Sequence, residues 1–262
     1  MKKLPALFVS HGSPMMVMER SRARRFLEEW GALHKPKAIL MVSAHWENID
    51  GPAVSIAGQP DTIHDFGGFP RELYQMRYAA SGAPEIAEKA AGLLEQAGFT
   101  VKRNAGRGLD HGAWVPLMLM YPNVGIPVFQ VSLIHEAGPG EHYRLGRALQ
   151  PMREQDVLVI ASGSLTHNLF EFMGHRIDDP APAWVSDFAE WIADALSHGR
   201  LQDLMDYRRL APYAARNHPT EEHLLPLFVA LGAAGENVAA ERVHASHTYG
   251  VIAMDAYTFA EA

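Results

Sequence analysis

Four short apolar stretches constrain the fold of this 262-residue chain more than any other feature. They run from Ala6 to Val9, Ala38 to Val42, Val128 to Leu133 and Val157 to Ala161. Apolar runs of this length, bounded by polar and turn residues, read as strands buried on both faces. Strands of that kind belong to parallel sheets covered by helices. Val54 to Ala57 and Thr100 to Lys102 are weaker strand candidates, and Gly250 to Met254 reads as a late strand. Helical periodicity lies between them. Phe26, Leu27, Trp30 and Leu33 recur at helix spacing, as do Trp184, Phe188, Trp191, Ile192 and Ala195. Ile86, Ala90, Leu93, Leu94 and Ala97 form a third stripe, with Pro84 near its start and Gly98 just past its end. The alternation predicts an α/β fold with a central, largely parallel sheet flanked by helices. Strand candidates occur in the first and last thirds, and no repeat or linker divides them. One domain over residues 1–262 is therefore expected.

Composition narrows the chemistry. There is no cysteine, which excludes disulfides, iron–sulfur clusters, thiolate zinc sites and a cysteine nucleophile. Lys and Arg number 23 against 30 Asp and Glu, giving a net charge of −7 without a basic block. No nucleic-acid partner is expected from that balance. The apolar run within MKKLPALFVSHGSP is too short for a signal segment, and no later stretch approaches a membrane span. A cytoplasmic protein with no membrane partner is expected. The chain has 14 histidines, so a transition-metal site here would be built from imidazole and carboxylate.

Three of those histidines occupy one kind of position. The first strand candidate ends at Ser10-His11-Gly12, the second at Ser43-Ala44-His45, and the Val157 run passes through Ser162-Gly163-Ser164-Leu165-Thr166 to His167. Ligands of open α/β sheets bind at the carboxyl edge of the strands, and parallel neighbouring strands would bring these rings into one crevice. A lone histidine after a strand is usually a turn residue; three at equivalent positions point to metal binding or acid–base work. His111 sits at the entry to a helix that Asp110 is placed to cap. His223 follows Thr220-Glu221-Glu222, where Thr220 reads as an N-cap with both glutamates in the first turn. Thr62-Ile63-His64-Asp65-Phe66-Gly67-Gly68-Phe69-Pro70 places two glycines between two phenylalanines, a loop suited to covering a flat molecule. Arg77, Arg208, Arg209 and Arg216 are candidates to meet a substrate carboxylate, each with the plainer reading of a solvated charge. The dinucleotide fingerprint, the phosphate-loop motif, H-E-x-x-H and the G-x-S-x-G elbow are all absent.

Taken together, Ser10-His11-Gly12-Ser13-Pro14, Ser43-Ala44-His45-Trp46, the Ile63 to Pro70 loop, Asp110-His111-Gly112, Ser162-Gly163 with His167-Asn168, and Pro219-Thr220-Glu221-Glu222-His223 resemble the class III extradiol ring-cleavage dioxygenases. The likeness is to the DOPA 4,5-dioxygenase-like branch, related to the catalytic subunit of protocatechuate 4,5-dioxygenase, and covers nearly the whole chain. It implies a single α/β domain, a non-haem Fe(II) cofactor that Zn(II) can replace, and a small aromatic diol and O2 as reactants. The product would be a yellow muconic-semialdehyde-type compound. By motif, His11, His45 and His223 would be metal ligands. The third ligand is a glutamate in protocatechuate-type relatives, and Glu221 and Glu222 stand beside His223 here. His167 would be the active-site base, or a fourth ligand in a zinc-loaded protein. His111 would donate a hydrogen bond to bound oxygen, and His64 and Phe66 would contact substrate. Two other readings stand beside this one: a zinc hydrolase using metal-activated water, and a non-catalytic binding protein that keeps the fold. No sequence feature selects an oligomeric state.

Overall fold

The first apolar run forms the strand Ala6–Ser10 and the second Ala38–Ser43, every residue of both buried. The computed structural model describes residues 3–261. The Val157 run extends two residues beyond its apolar core, as Val157–Gly163. These strands meet in a six-stranded sheet in the order Val128–Gln130, Ala38–Ser43, Val157–Gly163, Ala6–Ser10, Ala256–Glu261, Val238–His244. The first three pairings in that order are parallel and the last two antiparallel. Ser43 lies opposite Ser162, and Ser10 opposite Gly163. The carboxyl ends of three adjacent strands therefore finish level with one another.

The helices Arg22–Leu33, Pro84–Gln96 and Ala183–Ser197 follow the predicted stripes. Two further helices, His111–Met120 and Leu225–Ala234, are buried on nearly every side and so carry no amphipathic stripe. No described helix is long and apolar enough to cross a membrane.

The late strand falls elsewhere than expected. Within Gly250 to Met254 only Ile252–Ala253 is extended, and it pairs with His247–Thr248 outside the main sheet. The sheet is instead completed by Val238–His244 and Ala256–Glu261. Val238–His244 is an edge strand with alternating exposure and two alanines, so it offers no apolar run to read. The Val128 run also divides: Val128–Gln130 joins the main sheet, while Leu133–Ile134 pairs with Glu47–Asn48. The two weak candidates become a small parallel pair, Ala53–Ser55 with Lys102–Asn104.

Candidate metal centre

The level strand ends bring the histidines together. The His11 amide donates to the Gly163 carbonyl at 2.9 Å, and the Ala44 amide donates to the Ser162 carbonyl at 3.0 Å. His111 opens its helix, and Asp110 is the N-cap, its carboxylate accepting from the Ala113 amide. The same carboxylate accepts from the Ser43 hydroxyl and from Arg107, each at 2.6 Å. Gly112 allows this close approach: a Cβ there would lie 2.4 Å from the Ser43 hydroxyl and 2.9 Å from the His45 ring.

The segment carrying His223 is tied to the loop carrying His167. The Ser164 amide donates to the His223 carbonyl at 2.8 Å, and the His167 amide donates to the Asn217 carbonyl at 3.0 Å. A Cβ on Gly163 would stand 2.1 Å from that His223 carbonyl oxygen, so only glycine fits. The helix begins later than Thr220 predicts. Residues 219–224 form turns, and the helix opens at Leu225 with Pro226 in its first positions. Proline lacks the amide that an interior position needs, so it marks the helix start. Thr220 donates to the Glu222 carboxylate at 3.0 Å and caps no helix.

Five histidines, His11, His45, His111, His167 and His223, line one cavity of about 730 Å3. Ring centroids of His11, His45 and His223 lie 4.9 to 5.5 Å apart. One ligand nitrogen from each of these three rings falls within 4.8 Å of the other two. His111 sits 4.0 Å from His45. His167 stacks on His223 at 3.5 Å with the planes 6° apart, and it groups with Glu222 and His223 instead of with His11 and His45.

The hydrogen bonds fix the protons on two of the rings. The Ser162 hydroxyl donates its single proton to the Gly112 carbonyl at 2.5 Å, so it must accept from His11 Nδ1, 3.0 Å away. Glu222 accepts from His223 Nδ1 at 2.9 Å. With Nδ1 carrying the proton, His11 and His223 each present a bare Nε2 lone pair. His45 Nε2 stands 3.1 Å from His11 Nε2 in hydrogen-bond geometry, and His223 Nε2 is buried without a hydrogen-bond partner. An orphaned buried nitrogen is costly. A cation among the three Nε2 atoms would satisfy it, so this donor set fits a divalent metal.

Electrostatics agree with that fit. Burial, reinforced by the neighbouring rings, lowers His11 and His223 well below the usual imidazole range. Burial and His111 lower His45 to about 3, and burial lowers His167 to about 4. All four are neutral at physiological pH, the form a metal ligand or a base requires. Burial pushes the Asp65 carboxyl up, but its hydrogen bonds and charge interaction with His111 outweigh burial and hold it at about 2. The His111 amide donates to Asp65 Oδ1 at 2.9 Å, and His111 Nδ1 lies 3.0 Å from the same oxygen.

Asp65, Ser162 and Glu222 were not singled out from sequence as orienting groups. Asp65 carried a usable signal: it stands in the candidate loop, one residue from His64, and adjacent residues of an extended chain face opposite ways. Asp65, Phe66, Gly67 and Phe69 line the cavity and His64 does not. His64 turns toward the Met76 carbonyl at 3.1 Å and Arg77 at 3.2 Å, its ring 5.7 Å from Phe66. None of the four arginine candidates lines the cavity either. Glu221 bonds the Tyr207 hydroxyl at 2.9 Å, away from the rings.

Comparison with known proteins matches this architecture throughout. Residues 5–260 fit the family model described as the catalytic LigB subunit of aromatic ring-opening dioxygenase. A protein of Beta vulgaris named 4,5-DOPA dioxygenase extradiol is 45% identical over 257 residues, 96% of this chain and 95% of that one. The Escherichia coli K12 protein of the same name is 38% identical over 237 residues, 88% of this chain and 85% of that one. A crystal structure of an uncharacterized Escherichia coli K12 protein superposes with a TM-score of 0.82 at 30% identity, covering 97% of this chain and 99% of that one. Fold and site thus define a metal-dependent extradiol dioxygenase, an enzyme that opens the ring of a catechol. The chain belongs to the LigB family of aromatic ring-opening dioxygenases.

Proposed function

We propose that His11, His45 and His223 hold Fe(II) through Nε2, and that the enzyme uses O2 to open a DOPA-like catechol beside its two hydroxyls. The observation carrying the ligand set is the buried, unpartnered Nε2 of His223 beside His11 Nε2 and His45 Nε2, which lie 3.1 Å apart. The names of the relatives support the substrate class. Iron is favoured over zinc because Zn(II) has no redox chemistry to share with O2, although the same three rings would bind either. A metal held by His11, His45 and His223 would supply a common site for the diol and O2, making their encounter local.

The chain's own residues then handle protons and position. His167, neutral and stacked on His223, accepts a proton from a catechol hydroxyl as the diol binds. His167 stands outside the His11, His45 and His223 triad, stacked on His223, where it can meet a bound diol. His111, held by Asp65 at the helix entry, supplies a hydrogen bond to the reacting oxygen. Phe66 and Phe69 flank the flat ring, and His64 supports Phe66 from behind. Metal analysis of four variants tests the assignment. His11→Ala, His45→Ala and His223→Ala should lose metal, while His167→Ala should retain it and lose turnover. Equal metal loss in all four would make His167 a ligand and overturn its role as base.

A further inference from the structure

We infer that this cavity selects the catechol ring itself, and that a substituent's carboxylate gains nothing by binding. The inference rests on the ring-cleavage reading above and specifies the substrate class. Beyond the histidines, the lining is largely apolar: Met15, Phe66, Phe69, Leu169, Phe172 and Ile252. Leu169 is 57% exposed and marks the mouth. Among the described residues, no lysine or arginine lines the cavity.

The arginines proposed from sequence are all occupied elsewhere. Arg77 donates to the Tyr74 and Met76 carbonyls at 2.9 and 2.8 Å. Arg208 donates to the His218 carbonyl at 2.8 Å, and Arg209 pairs with Asp206. Arg216 pairs with Glu171 at 2.9 Å and lies over Trp184. Among the carboxylates of the described residues only Asp65 lines the cavity, and the His111 amide already donates to it at 2.9 Å. A carboxylate carried on the substrate would meet apolar side chains and like charge. It would have to give up water without gaining a partner. An alkyl chain meets no such penalty, and a charged group of either sign is better left in solvent. L-DOPA is then accepted through its ring, with its carboxylate left in solvent.

Dopamine differs from L-DOPA by that carboxylate alone, so the pair is a direct probe. A charged hydrogen bond to a carboxylate inside a protein is worth about tenfold or more in affinity. Two measurements apply: calorimetric titration of the Zn(II)-loaded protein without O2, and steady-state kinetics of the Fe(II)-loaded enzyme. Replacing L-DOPA by dopamine should raise Kd and KM by less than about threefold, below the scale of one charged contact. A larger rise in either overturns the inference. Arg77→Ala should leave KM for L-DOPA within about threefold by the same criterion, and a larger rise would show that Arg77 reads the carboxylate after all. If L-DOPA is cleaved and dopamine is not, only this inference falls. If neither catechol is cleaved by protein shown to hold Fe(II), the ring-cleavage reading falls and takes the inference with it.

Discussion

His11 and His45 hang from strands paired on both sides, with the His223 segment tied to the same edge through Ser164, whereas the facing wall is made of two loops. His11 and His45 follow Ala6–Ser10 and Ala38–Ser43, interior strands of the main sheet. Ser162 aims the ring of His11, and Glu222 that of His223. Phe66 and Phe69 belong to one loop, and Leu169 and Phe172 to another. The second loop continues into apolar side chains that face water: Phe170 is 90% and Met173 85% exposed. Chemistry that needs ligand atoms within a fraction of an ångström is built on the rigid wall. Selection among catechols, which tolerates looser fit, falls to the loops.

The largest break in this contrast is removal of a ligand. His223→Ala should bring metal content to background and cut turnover by more than about a hundredfold, the upper scale on which even outer partners of ligands act. Metal analysis alongside O2 uptake checks it. His167→Ala should lower kcat by about 10² or more with metal content unchanged, the size of a lost general base. Ser162→Ala and Glu222→Gln leave all three rings in place but release their aim. Each should weaken metal affinity by about tenfold to a hundredfold, measured by competition with a chelator.

Acid probes the same wall. His45 and His167 are lowered from 6.5 to about 3 and about 4, so below 6.5 the unfolded chain binds protons that the folded one does not. Stability therefore falls as pH drops from 6.5 toward 4, and is unaffected by these rings above 6.5. Thermal melting across that window should show a steeper acid loss for the wild type than for His167→Gln, which lacks one of these rings. The smallest effect belongs to the loop wall. Phe66→Leu should keep metal and change KM by about tenfold or less, the scale of one aromatic contact. A loss of metal in that variant would show that the two walls are not separable.

The rigid wall was also the more legible one. His11, His45 and His167 could be read because uninterrupted apolar runs announce buried strands, and ligands gather beyond their carboxyl ends. His111 and His223 were candidates from their places beside Asp110 and Thr220-Glu221-Glu222, and the motif likeness gave them their roles. Position 223 itself resisted local reading. Thr220 looks like a cap, but Pro226 moves the helix start to Leu225, and a hydrogen bond from Ser164 holds the segment in place. That bond joins residues far apart in sequence, and no local pattern encodes it. Ser162 was hidden for the same reason, since its contact with His11 crosses the fold, whereas Glu222 is the sequence neighbour of His223 and was read as a first-turn carboxylate. Val238–His244 escaped because an alternating, alanine-containing edge strand lacks the signal that made the interior strands plain.

The central claim is tested most directly by O2 uptake, recorded with a visible spectrum, on protein loaded anaerobically with Fe(II) and given a catechol. The account predicts O2 consumption in step with a new yellow chromophore, both absent in His223→Ala. No uptake with any of a panel of catechols, in protein shown to hold Fe(II), would contradict it.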